Sequence, residues 1–147
     1  MKLYVCGYRL GEDRGVQYMI SHHCLVRPES LEKNTIFLRN TMANLLNYLL
    51  AHAVDNIVTD QELMLNVWEL NGLSASRPRL WQVMNALDKK LAVLGLQEKL
   101  IIRVPKKGYI VPADMVMCLY CKEESILYQE YCYVNKKTVC FTESVTT

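Results

Sequence analysis

No run in this sequence approaches the ~20 apolar residues that a membrane span needs. The amino terminus, Met1 to Arg9, meets its charges before any sustained apolar region, which argues against a secretory leader. Without such a leader, the six cysteines (Cys6, Cys24, Cys118, Cys121, Cys132 and Cys140) are expected as thiols rather than disulfides. Catalytic constellations are missing as well. There is no nucleophile–base pair, no phosphate-cradling loop and no HExxH spacing, so the chain does not read as an enzyme. Cys118-x-x-Cys121 lacks a second CxxC partner. Cys118, Cys121, Cys132 and Cys140 are the candidate tetrahedral zinc set, but their later spacings are irregular, and the expectation is no metal and no cofactor. His22-His23-Cys24 supplies two ligands at most on one strand face, too few for a closed site.

What is present is an ordinary globular balance over 147 residues, with 51% apolar and 22% charged residues. The length suits one domain, or one domain plus an appendage. The charge is uneven. Residues 77–111 hold eight Lys/Arg against two Asp/Glu, a local excess of six positive charges. The whole chain is only +2, so the remainder carries a net −4. A basic stretch on an acidic body is the footprint of a nucleic-acid reader, or else a solvated basic face.

That stretch contains two elements. Leu80, Met84, Leu87, Leu91 and Leu94 recur at the 3/4 spacing of one helix face. Then Leu100–Ile102 with Val104, and Tyr109–Val111, flank the turn Pro105-Lys106-Lys107-Gly108. This pattern predicts a β-hairpin in which Gly108 can take a positive φ.

Upstream, Leu3–Val5, Tyr18–Ile20 with Leu25-Val26, and Thr35–Leu38 read as short strands punctuated by glycines. Asn40 or Thr41 can cap a helix whose stripe is Met42, Leu45, Leu46, Leu49, Leu50 and Ala53, ending near Asp55-Asn56. After the extended link Ile57-Val58, Thr59-Asp60-Gln61-Glu62 is a capping box. The helix it starts carries Leu63, Met64, Val67 and Trp68 and stops at Asn71-Gly72. A short loop leads to the third helix, with Pro78 in its first turn. Helices two and three form a helix-turn-helix order.

At this point residues 18–111 resemble the winged helix-turn-helix domain of the OmpR/PhoB type, and most closely the amino-terminal domains of ToxR/CadC-like bacterial regulators. The resemblance is carried by Leu45-Leu46, Thr59–Leu63, Val67-Trp68, Leu87, Lys89–Leu91 and Val104-Pro105-Lys106-Lys107-Gly108-Tyr109. It implies an α+β fold: an N-terminal antiparallel sheet, three helices and a C-terminal hairpin wing. It places this domain over 1–112 and leaves 113–147 as a Cys/Tyr-rich C-terminal extension. It implies a DNA-binding transcriptional regulator, an activator acting as a dimer or in tandem. The third helix would enter the major groove of double-stranded DNA, and the wing would rest on the backbone or minor groove. The loop at 69–76 would contact RNA polymerase. The DNA-binding candidates are Arg77, Arg79, Trp81, Gln82, Asn85 and Lys89 on the helix, with Arg103, Lys106, Lys107 and Tyr109 in the hairpin. Asn85 suits adenine, and Arg79 suits guanine or phosphate.

The departures lie on the helix, where Val83, Ala86 and Asp88 stand in place of basic residues. They support an alternative: a protein-interaction module on the same fold, using Trp81, Val83 and the Tyr/Cys-rich tail. In the family a linker and one transmembrane helix follow the domain. No such run stands in 113–147, which implies a cytoplasmic protein or the cytoplasmic part of an inner-membrane-anchored regulator.

Overall fold

The structure, a computed structural model, describes residues 3–29 and 35–122. Strand β1 (Leu3–Leu10) turns through Gly11–Gly15 into β2 (Val16–Met19), and β3 (Cys24–Val26) and β4 (Thr35–Phe37) follow. Three helical segments come next, then the hairpin β5 (Ile102–Val104) and β6 (Gly108–Ile110). A last strand, β7 (Val116–Lys122), returns to the first sheet. That sheet has the order β4-β3-β2-β1-β7, antiparallel throughout. The chain is thus α+β, with an N-terminal antiparallel sheet, three helices and a C-terminal hairpin, as expected.

The period-2 alternation of the strands sorts their residues into two faces. Tyr8, Leu10, Val16, Tyr18 and Leu25 point inward and join the main core. Helix α1 (Asn40–His52) lays Leu45, Leu46, Leu49 and Leu50 against them, and Tyr18 Oη donates to Asn47 Oδ1 at 2.5 Å. Burial pushes the Tyr18 phenol well above its ordinary pKa. Helix α1 begins one residue earlier than expected. Its N-cap is Arg39, whose side chain makes no capping bond, and it ends at His52 rather than near Asn56. The left-handed Asp55 (φ 53°) lies just past that end.

The second helix, α2, opens as Asp60–Leu63, continues as a π-helical stretch over Met64–Trp68 and closes in a 3-10 turn over Glu69–Asn71. Thr59 Oγ1 accepts from the Glu62 amide at 3.0 Å, as the capping box requires. The Glu62 carboxylate accepts from the Tyr48 hydroxyl at 2.5 Å. Desolvation, helped by that carboxylate, pushes the Tyr48 phenol up to about 12. Gly72 ends the helix in the left-handed conformation. Helix α3 (Arg77–Val93) buries Leu80, Met84, Leu87 and Leu91.

One expectation changes in the wing. Leu100 and Ile101 are core residues rather than hairpin residues, and the pairing starts at Ile102. Gly108 takes the expected positive φ (154°), and Lys106 in the same turn is left-handed (φ 66°). Gly108 also serves a second need, because the chain from α1 to α2 runs directly against it. Val58 and Tyr109 exchange both backbone hydrogen bonds at 2.9 Å, so residue 58 acts as a third strand beside β6. A Cβ on Gly108 would lie 1.9 Å from the Val58 carbonyl oxygen.

The cysteines and histidines also depart from expectation. Cys6 and Cys121 form a disulfide across β1 and β7, with Cα atoms 5.9 Å apart. His22 lies in a 3-10 turn (Ile20–His22) and His23 is left-handed (φ 51°), so neither sits on a strand with Cys24.

Replacing Gly108 with Ala is expected to destabilise the fold by about 1–3 kcal/mol, the usual range for forcing atoms into a packed site. Urea unfolding monitored by Trp fluorescence measures it, and an unchanged midpoint would overturn the clamp at Val58.

Candidate nucleic-acid interface

Helix α3 starts on a side-chain cap, with Ser76 Oγ accepting from the Arg79 amide at 3.2 Å, and Pro78 occupies its first turn. Because Leu80, Met84, Leu87 and Leu91 face the core, the residues between them are presented outward. Arg77, Arg79, Trp81, Gln82 and Lys89 are exposed, and Asn85 is half-buried. Trp81 stands 62% exposed, unusual for so large an apolar ring.

These candidates fall into groups. A cleft of about 360 Å³ opens between α3 and the wing, and Arg77, Trp81, Asn85, Arg103 and Asp88 line it. Arg79 and Val83 lie on the other flank, over a second cleft shared with Arg39, Trp68 and Leu73. Gln82 and Lys89 are exposed outside both clefts. Lys106 and Lys107, exposed at the hairpin tip, share a smaller cleft with Gln61, Arg77 and Arg103. The structure therefore brings together Arg77, Trp81, Asn85, Arg103 and the two tip lysines, and sets Arg79 apart.

Tyr109 plays a different part from the other candidates. It is only 7% exposed, and the Arg103 guanidinium lies over its ring, 4.9 Å from the centroid. It backs an arginine rather than presenting its own edge.

Asp60 is the residue that sequence reasoning missed. It reads as part of a capping box, yet its carboxylate also ties the site together. Oδ2 accepts from Arg77 at 2.9 Å and Oδ1 from Arg103 at 2.6 Å. One acid thus joins the first turn of α3 to the wing, and its hydrogen bond is the main reason that the Arg103 pKa rises. No spacing in the sequence could announce a bond between residues 43 apart. Asp88 has a counter-ion of its own, Lys99 Nζ at 3.5 Å. Burial raises the Asp88 carboxyl above its ordinary pKa against the lowering pull of Lys99.

The zinc candidates do not converge. Cys118 and Cys121 are three apart on β7 and so face opposite ways, and Cys121 is taken by Cys6. Cys132 and Cys140 lie outside the described residues. Among the described residues no group of three or more His, Cys, Asp or Glu could hold a metal ion, and no helix is long and apolar enough to cross a membrane.

The arrangement of sheet, three helices and hairpin has counterparts among solved structures. The fold is the winged helix of the OmpR/PhoB type. The DNA-binding domain of E. coli CadC superposes with a TM-score of 0.57 at 19% identity, covering 82% of this chain and 98% of that domain. The C-terminal domain of the nisin resistance regulator NsrR, a lantibiotic response regulator, matches with a TM-score of 0.52 at 23% identity, covering 67% of this chain and 92% of that one. The Klebsiella pneumoniae RstA DNA-binding domain, solved in complex with the RstA box, matches with a TM-score of 0.51 at 18% identity, over 67% and 92%. No protein-family model and no curated protein sequence matches the chain.

An acid whose folded pKa is raised weakens the fold once ionised, and that cost appears as pH rises through the window above the ordinary carboxylate value. Asp88→Asn is therefore expected to raise the melting temperature at pH 7, since the exposed Lys99 pair offsets little. The gain should shrink toward acid pH. Thermal unfolding at pH 7 and near pH 4 tests it. A lower melting temperature at pH 7 would mean the Lys99 pair outweighs burial.

Proposed function

We propose that this chain is a DNA-binding transcriptional regulator. In this reading α3 enters the major groove and the basic wing rests on the phosphate backbone or minor groove. The observation that carries it is the gathering of Arg77, Arg103, Lys106 and Lys107 beside the exposed face of α3, on a fold whose relatives include a DNA-binding domain in complex with its box. Cations at that spacing neutralise phosphates without reading sequence. Asn85 and Arg79 are the side chains suited to base edges, adenine and guanine respectively. Trp81, Gln82 and Lys89 complete the contact face of the helix.

The finer expectations belong to the same proposal. The chain acts as an activator, in a dimer or in tandem on repeated sites, and the loop over 69–76 meets RNA polymerase. Leu70 and Leu73 give that loop exposed apolar contact points. The domain over 1–112 carries the DNA contacts, and it works in the cytoplasm, free or as the cytoplasmic part of an inner-membrane-anchored regulator. No catalytic activity is proposed.

One observation favours a second reading. Trp81, so exposed on α3 and flanked by Val83, is the kind of aromatic anchor that protein interfaces use. A protein-interaction module on this fold would bind little DNA at physiological salt.

Fluorescence anisotropy with a generic duplex across a salt series separates the two. Binding should weaken as salt rises, and Lys106→Ala combined with Lys107→Ala should lower affinity for all duplexes alike. The same pair should reduce the slope of log K against log salt by about 2, one for each lost phosphate contact. If the double variant binds as the parent does, the wing has no role on DNA. If the parent fails to bind even at low salt, the interaction module is the better reading.

A further inference from the structure

The basic groups described so far gather on one side of α3. At 3.6 residues per turn, the helix directs Arg77, Trp81 and Asn85 toward the wing, Gln82 and Lys89 straight outward, and Arg79 with Val83 to the far side. A cleft of about 460 Å³ opens on that far side, between α3, the start of α1 and the loop after α2. Arg39 and Arg79 line it together with the hydroxyl residues Thr41 and Ser74. Buried Trp68 and half-buried Val83 form part of its apolar wall.

The two clefts differ in charge. Asp60 and Asp88 line the one beside the wing, where Arg77 and Arg103 share Asp60 and Lys99 pairs with Asp88. Among the described residues no acid lines the far cleft, and neither Arg39 nor Arg79 enters an ion pair. Both arginines are exposed, and the Arg39 side chain makes no capping bond to α1. Two uncompensated guanidinium groups and two hydroxyls suit a phosphate oxygen. The cations neutralise it, the hydroxyls donate to it, and the apolar wall strengthens both by lowering the local dielectric.

We infer that this cleft is a second phosphate-binding site for DNA, and that Arg39 on α1 contacts the strand across the major groove from the wing. The inference rests on the DNA-binding reading above. An α-helix with its side chains is about 10–12 Å across and the major groove about 12 Å wide, so a helix lying there has a sugar–phosphate wall on each flank. Lys106 and Lys107 of the wing meet one wall. The other wall runs along the far flank of α3, where the cleft lies. Arg79 belongs to the reading helix and keeps the base-edge role proposed above. Arg39 belongs to a different element and contributes charge without sequence information. Phosphate contacts on one wall leave α3 free to rock about that edge; contacts on both walls fix its orientation in the groove.

The test is fluorescence anisotropy of the full chain with the generic duplex across a salt series. Arg39→Ala should lower the slope of log K against log salt by about 1, so that the affinity lost between about 50 and about 200 mM salt shrinks about 3.5-fold. Arg39→Lys keeps the charge and should restore the slope. Duplexes carrying a neutral methylphosphonate at one phosphate at a time then locate the contact. The phosphates whose neutralisation weakens the parent should form two patches on opposite strands across the major groove. One patch should cease to matter in the variant that joins Lys106→Ala to Lys107→Ala, and the other in Arg39→Ala. If the lysine pair lowers the slope and Arg39→Ala does not, this inference fails and the DNA-binding reading stands. It fails too if Arg39→Ala and the lysine pair affect the same patch. A parent chain that binds no duplex at low salt overturns both.

Discussion

The position of the wing rests on two backbone hydrogen bonds between Val58 and Tyr109. They turn the link between the first two helices into a strand and fasten the hairpin to the helices. A hairpin of two three-residue strands has little stability of its own in water. The clamp gives it a third partner, and Gly108 makes room for that partner. Asp60, two residues past Val58, then reaches both Arg77 and Arg103. A single short segment therefore sets the wing, the first turn of α3 and the arginines between them. With the bonds of Ala53 and Asp55 to Val111, the constraint spans residues 53–60 and sets the position of the wing arginine and lysines.

That surface is not uniformly positive. Asp60 lies among four cations and Asp88 beside Lys99. Acids placed this way hold long side chains in one rotamer, but they also cancel part of the attraction for phosphate. If the surface binds DNA as proposed, these acids trade some nonspecific affinity for order in the arginines. Exposed ion pairs contribute little to stability, so the value of Asp60 lies in orientation.

The fold was legible where one residue type has one physical meaning. The 3/4 stripe of α3, the Thr59 cap, the Gly72 stop and the turn Pro105–Gly108 each specify local geometry and were read from the sequence. Contacts between distant segments were not legible. The pairing of residue 58 with the wing, the two arginines on Asp60, the disulfide between Cys6 and Cys121 and the addition of β7 beside β1 all join residues whose spacing carries no signal. Tyr109 shows the same limit within the site. Its motif marks the hairpin, but only packing reveals that the ring lies beneath Arg103. The His22–Cys24 stretch misled because a 3-10 turn and a left-handed residue interrupt what composition alone presents as a strand.

The pairing of β1 with β7 also has a consequence for how the chain folds. These strands are separated by more than a hundred residues, yet they share seven paired positions. Closing so long a loop costs entropy before the contacts return it. During synthesis β1 and β2 emerge first, and the β1 edge stays open until residue 122 has left the ribosome. An open edge of unpaired backbone groups invites pairing with another chain. The helices and wing can assemble from contacts nearer in sequence, so the sheet is completed last, and its exposed edge is the feature of the nascent chain most vulnerable to aggregation.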